Sequence, residues 1–131
     1  MIKNTLILLS TIAIILSCTS NSTALIDNEL VKMANQINEN CPMVIDKETR
    51  LINVVALPNK KIKYNYSFIN FTHSEIQDLN LLDLKPNILE QYKTDPNMKS
   101  LTKYEVTAVY SYVDKNGHFI ESFKITPEEY N

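Results

Sequence analysis

Apolar positions fall along this chain in three different rhythms. Leu6 to Leu16 is a nearly unbroken apolar run, interrupted only by Ser10 and Thr11. Further on, Leu30, Val31, Ala34, Ile37 and Cys41 recur at spacings of three and four, the period of a helix with one buried face. Ile62, Tyr64, Tyr66 and Phe68 then alternate with Lys63, Asn65 and Ser67, a strict period of two that predicts a strand.

Punctuating residues set the boundaries. Asp27 or Asn28 is placed to cap a helix running to about Asn40, and Pro42 closes it, since the residue before a proline is pushed out of helical geometry. Met43 to Ile45 is a short apolar stretch, and Arg50 to Leu57 is a strand stopped by Pro58. The turn "PNKK" joins it to the strand over 62–68 as a hairpin. Ser74 with Gln77 fits a capping box, and Ile76, Leu79 and Leu82 carry a helical face as far as Pro86. Ile88, Leu89 and Tyr92 start another short helix, and Asp95-Pro96 caps one more turn bearing Met98 and Leu101. Tyr104 to Val113 is rich in β-branched and aromatic residues, "DKNG" makes a turn, and Phe119 to Thr126 returns as its partner strand, followed by a short capped end, "PEEYN". The whole reads as α+β: an antiparallel sheet of four to five strands in two hairpins, each preceded by helix, with the helices on one face.

The first apolar run is too short to span a bilayer, which takes roughly 20 residues. With Lys3 before it and small residues behind, it has the three parts of a secretory signal peptide over residues 1–17. Its end, Ile15-Leu16-Ser17-Cys18, resembles the lipobox of bacterial lipoproteins. That resemblance implies cleavage before Cys18, a diacylglyceryl group on its thiol and an acyl group on the new amino terminus. No other cofactor is implied. Residues 18–25 then read as a flexible, lipidated tether and 26–131 as one α+β domain. The competing cleavage after Ser22-Thr23-Ala24 would release an unanchored chain. Cys18 as a buried core thiol is the third reading.

Composition removes several function classes. Without residues 1–17, 12 basic side chains face 15 acidic ones, because only Lys3 is lost from the 13. A nucleic-acid binder needs a basic stripe to displace phosphate counterions, so nucleic acid is not an expected partner. Gly117 is the single glycine, which excludes glycine-rich phosphate-binding loops. With Cys18 acylated, Cys41 stands alone and no internal disulfide forms.

Candidates for chemistry are few. Cys41 with His73 or His118 is the sharpest catalytic pair the chain offers, and nothing in the spacing joins them. No His-x-x-x-His or Cys-x-x-Cys spacing offers a metal site, and "DKNG" fails as a calcium loop because its twelfth position is Ile125. Tyr64, Tyr66, Tyr110 and Tyr112 are rigid amphipathic rings on predicted strands, as is Tyr104. The first four are the candidate binding surface for an envelope protein or a glycan, or else half of the core.

A second resemblance covers most of the chain. "NENCPMVIDKETRL" and "YSYVDKNGHFI" are similar to small exported bacterial proteins of no assigned function, with a Cys-Pro after a first helix and a Tyr-x-Tyr strand before an Asp-Lys-x-Gly turn. Some of those carry further cysteines, which are missing here. Together these features predict a non-enzymatic envelope lipoprotein, held to the membrane by Cys18, that binds or shields an envelope component. An immunity or inhibitor protein and an envelope assembly factor are the alternatives, with a cysteine hydrolase more distant. Thr19 after the cysteine, in place of an aspartate, points to the outer membrane if the cell has two.

Overall fold

The computed structural model describes residues 17–131 of the chain. The segment expected to be a signal peptide lies outside the described residues apart from Ser17, and so does the side chain of Cys18. Five strands form one sheet in the order β1-β2-β3-β4-β5. They are β1 (Met43–Val44), β2 (Thr49–Leu57), β3 (Lys61–Phe68), β4 (Thr107–Val113) and β5 (Phe119–Ile125). Helix α1 (Ser17–Asn38) precedes them, α2 (Lys85–Thr94) and α3 (Lys99–Lys103) lie between β3 and β4, and α4 (Pro127–Tyr130) ends the chain. The architecture is the expected α+β one, with a five-stranded, mostly antiparallel sheet.

One pairing differs from expectation. The two hairpins meet through β3 and β4, which run parallel, with Tyr64 beside Tyr110 and Tyr66 beside Tyr112. A parallel pair needs a long crossover, and residues 69–106 supply it, carrying α2 and α3 back to the end where β3 began. Period-two alternation is the same for either direction, so the pattern alone does not distinguish them.

Strand alternation places Ile62, Tyr64, Tyr66 and Phe68 of β3 on one face, with Ala108, Tyr110 and Tyr112 of β4 and Phe123 and Ile125 of β5. Most of these are buried, and with Leu51, Val54, Leu81, Tyr92, Leu101 and Val106 they make the core. The polar and mixed face opposite carries Asn53, Asn65, Ser111 and Ser122 in one row across four strands, and Asn65 donates to Asn53 over 2.7 Å.

Three local readings need correction. Helix α1 begins at Ser17, so residues 18–25, read as a flexible tether, are helical; no glycine or proline interrupts them. Asp27 is therefore in mid-helix and caps nothing. The capping box before Ile76 is built by Thr72 and Glu75, two positions before the one expected, with the Thr72 amide donating to Glu75 over 2.7 Å. Tyr104 is on no strand: it ends α3, Glu105 takes a positive φ of 55°, and β4 starts only at Thr107.

The remaining turns follow their sequence signals. Asp95 caps the 3-10 turn Pro96–Met98 by accepting from the Asn97 amide at 2.8 Å. Gly117 takes φ 86° in the β4–β5 turn, a left-handed backbone that glycine adopts without steric cost. Thr126 and Glu129 form a capping box at α4, and Glu129 also pairs with Lys85 at 2.6 Å, tying α4 to the start of α2.

Candidate functional site

The two Tyr-x-Tyr pairs, 46 positions apart, are brought into register by the parallel pairing of β3 and β4. Their rings stack across the strands: Tyr64 on Tyr110 at 5.3 Å, Tyr66 on Tyr112 at 5.2 Å, and Tyr66 on Tyr110 at 6.2 Å between centroids. The ladder continues to Phe123 of β5, 5.4 Å from Tyr110, and to Phe68, 6.1 Å from Tyr112. Each such pair contributes about 0.5–1.5 kcal/mol beyond the area it buries.

The rings are not equally covered. Tyr110 and Tyr112 are 5 % exposed and belong to the core, which decides against the surface and for the core between the two readings of this pair. Helix α2 and the segment before it pack towards β5, and the Tyr92 hydroxyl of α2 meets that of Tyr110 at 3.0 Å. Helix α1 packs over β2 and reaches only part of β3. Between these two covers, Tyr64 and Tyr66 on the middle strand are only half-buried. Met33 and Ile37 of α1 and Ile88 and Leu89 of α2 are likewise half-buried and pack against the same core.

Burial pushes the phenols of this site upward. Tyr66 and Tyr92 are raised to about 12, in both cases chiefly by burial; neighbouring Cys41 adds to the effect on Tyr66. Tyr64, Tyr110 and Tyr112 are raised as well, again first by burial and then by neighbouring tyrosines. At neutral pH every one of them is a neutral phenol. Tyr64 and Tyr66, the half-buried members, can stack and can donate and accept hydrogen bonds.

Cys41 is unpaired and half-buried, packed against the core at the exit of α1. The backbone amide of His73 donates to the Asp114 carboxylate at 3.0 Å, and the His118 ring has its Nδ1 3.2 Å from the same carboxylate. Asp114 is 1 % exposed and also accepts the amides of Asn116 and His118. Burial alone would raise its carboxyl, yet these hydrogen bonds outweigh burial and bring it down to about 2. It organises the β4–β5 turn and fastens it to the segment at His73. Among the described residues no group of three or more His, Cys, Asp or Glu side chains could hold a metal ion.

Sequence reasoning missed two polar clips on α1. Asp27 accepts the amides of Asn59 at 3.1 Å and Lys60 at 2.7 Å in the β2–β3 turn. Asn38 donates to the Val54 carbonyl at 2.8 Å and accepts from its amide at 2.7 Å, pairing the free edge of β2 as a neighbouring strand would. Asp27, Leu30, Ala34 and Asn38 follow one another at three- and four-residue steps, so polar ends on an apolar helical stripe were the available signal.

No protein-family model and no curated protein matches the chain. Solved structures do. A protein of Pseudomonas aeruginosa classed as secreted superposes with a TM-score of 0.70 at 10 % identity, over 84 % of this chain and 96 % of that one. The pilotin of the Vibrio vulnificus type 2 secretion system gives 0.69 at 8 % identity, over 86 % of this chain and 97 % of its own. The type II secretion system pilotin of Vibrio cholerae gives 0.66 at 6 % identity, over 86 % and 99 %. At such identities the likeness is one of fold.

Proposed function

We propose that this protein is a non-catalytic, lipid-anchored assembly factor of the bacterial envelope, which holds a segment of a secretion component in a furrow over β3, between α1 and α2. The observation that carries this reading is the half-open state of Tyr64 and Tyr66 at the middle of the sheet, where a strand flanked on both sides is ordinarily covered. Half-buried aromatic rings, with half-buried apolar side chains on α1 and α2, suit the nonpolar face of a polypeptide segment, with the phenols supplying a few directed hydrogen bonds. Two of the similar folds are pilotins of type 2 secretion systems, which favours an assembly factor over an immunity protein. The lipobox-like Ile15-Leu16-Ser17-Cys18 supports attachment to the membrane through acyl groups on Cys18, where two or more chains give firm binding. Thr19 supports the outer membrane as the destination.

Complementation tests the reading. In a host lacking the protein, an envelope secretion component is mislocalised or unassembled, and the wild-type chain restores it. Tyr64→Lys with Tyr66→Lys, checked for retained folding, fails to restore it, and so does Cys18→Ala. Full restoration by the lysine variant rules out the furrow as the working surface.

A further inference from the structure

Helix α1 is fixed to the sheet at two points eleven residues apart, Asp27 at the β2–β3 turn and Asn38 at Val54. Eleven helical residues and the five strand residues from Val54 to Asn59 both span roughly 16–17 Å. The helix therefore runs antiparallel to β2, and its first residues continue past the turn. Since α1 begins at Ser17, Cys18 sits nine helical residues beyond Asp27, about 13–14 Å further along the axis.

The same end of the molecule gathers other chain. The Thr107 amide donates to the Lys60 carbonyl at 2.9 Å, and Lys60 Nζ lies 3.5 Å from Glu105. Residues 103–106 are thus beside the β2–β3 turn. Tyr104 is exposed there, with Lys103 Nζ 5.4 Å from its ring centroid, and Lys61 is exposed where β3 begins. The β4–β5 turn is at the opposite end, separated by the length of β4, about 20 Å.

We infer that the protein stands on the bilayer by this end, with the first turns of α1 as a short rigid post and Lys61, Lys103 and Tyr104 meeting the lipid headgroups. The inference rests on acylation of Cys18. Given that anchor, the post fixes which end faces the membrane, whereas a flexible tether would leave the domain free to tumble. Lysine and tyrosine suit the place: ammonium groups reach headgroup phosphates, and an amphipathic ring sits at the boundary between water and hydrocarbon. The phosphate-bearing lipid surface is the partner, and Glu105 stays engaged with Lys60.

The test uses the acylated chain carrying Cys41→Ser, so that one introduced thiol takes a fluorophore. Tyr104→Cys reports the proposed contact, and Asn116→Cys reports the far turn. The vesicles are phosphatidylethanolamine with phosphatidylglycerol, doped with lipid bearing a headgroup nitroxide quencher. Fluorescence at position 104 is quenched several-fold more than at 116. Replacing Asn21–Ala24 by Gly-Ser-Gly-Ser brings the two positions together. Equal quenching with the helix intact, or stronger quenching at 116, overturns the inference. Flotation of the same samples reads the anchor separately: a chain that does not float removes acylation at Cys18 and this orientation with it, while one that floats without the difference removes the orientation alone.

Discussion

The carboxylate of Asp27 and the backbone amide of Lys60 meet at 2.7 Å across 33 positions of chain, and the Asn59 amide joins them at 3.1 Å. Both turn residues have positive φ, 65° at Asn59 and 55° at Lys60, so this one side chain holds an unusual backbone in place. Asp27→Ala leaves two amides without their acceptor and is expected to lower stability by about 1–3 kcal/mol. In urea the midpoint falls at unchanged slope. Asp27→Asn keeps one acceptor and loses less.

Asp114 gives the fold a defined response to acid. Its carboxyl is lowered from the ordinary 3.8 to about 2, because amide and histidine hydrogen bonds outweigh the effect of burial. A folded value below the unfolded one means that the unfolded chain binds more protons in this range. The stabilisation is complete above the unfolded value and is lost as the pH falls from about 4 towards 2. Glu75, lowered first by the Thr72 amide, and Glu129, lowered first by Lys85, act in the same direction. Denaturation midpoints measured between pH 2 and 6 should rise with pH, and Asp114→Asn should flatten that rise while destabilising the protein most at its upper end.

The hydroxyls of Tyr92 and Tyr110, 3.0 Å apart, are each other's buried partners. Tyr92→Phe leaves the Tyr110 hydroxyl alone in the core and should cost about 1–3 kcal/mol. Converting both to Phe removes the pair together and should cost less than the sum of the single changes. In an ultraviolet titration, Tyr66 and Tyr92 should ionise near 12 rather than the ordinary 10.0. Their folded values lie above the unfolded ones, so stability is full below pH 10 and falls as the pH climbs towards 12.

Cys18→Ala tests the anchor independently of the domain. The expected product keeps its signal segment and takes up no radioactive palmitate. Unchanged labelling would place the acyl groups elsewhere.

Much of the fold was legible in local pattern. Period two over 62–68 and the turn at Asn116-Gly117 located two strands and a hairpin because those signals depend on nearest neighbours alone. What escaped was long-range. The parallel pairing of Tyr64 with Tyr110 depends on a 38-residue crossover whose packing leaves no periodic mark on either strand. Asp27 has the look of a helix cap, and only the position of the β2–β3 turn shows that its carboxylate serves Lys60 instead. The polar run after Cys18 has tether composition yet stays helical, since serine, threonine and asparagine are weak helix formers and not helix breakers. For the site, the four tyrosines were legible as a set. That helix α2 would bury Tyr110 while Tyr66 stayed half-open was not, because cover by a helix is set by the docking of a separate element.

Photocrosslinking in living cells tests the furrow most directly. Benzoylphenylalanine at position 66 lies on the helix-bearing face, and at position 55 it lies on the open face, where Val55 pairs with Lys63. A furrow that holds a partner segment gives one discrete adduct from 66, containing an envelope secretion component, and none of that adduct from 55. The same adduct from both positions, or none from 66, contradicts it.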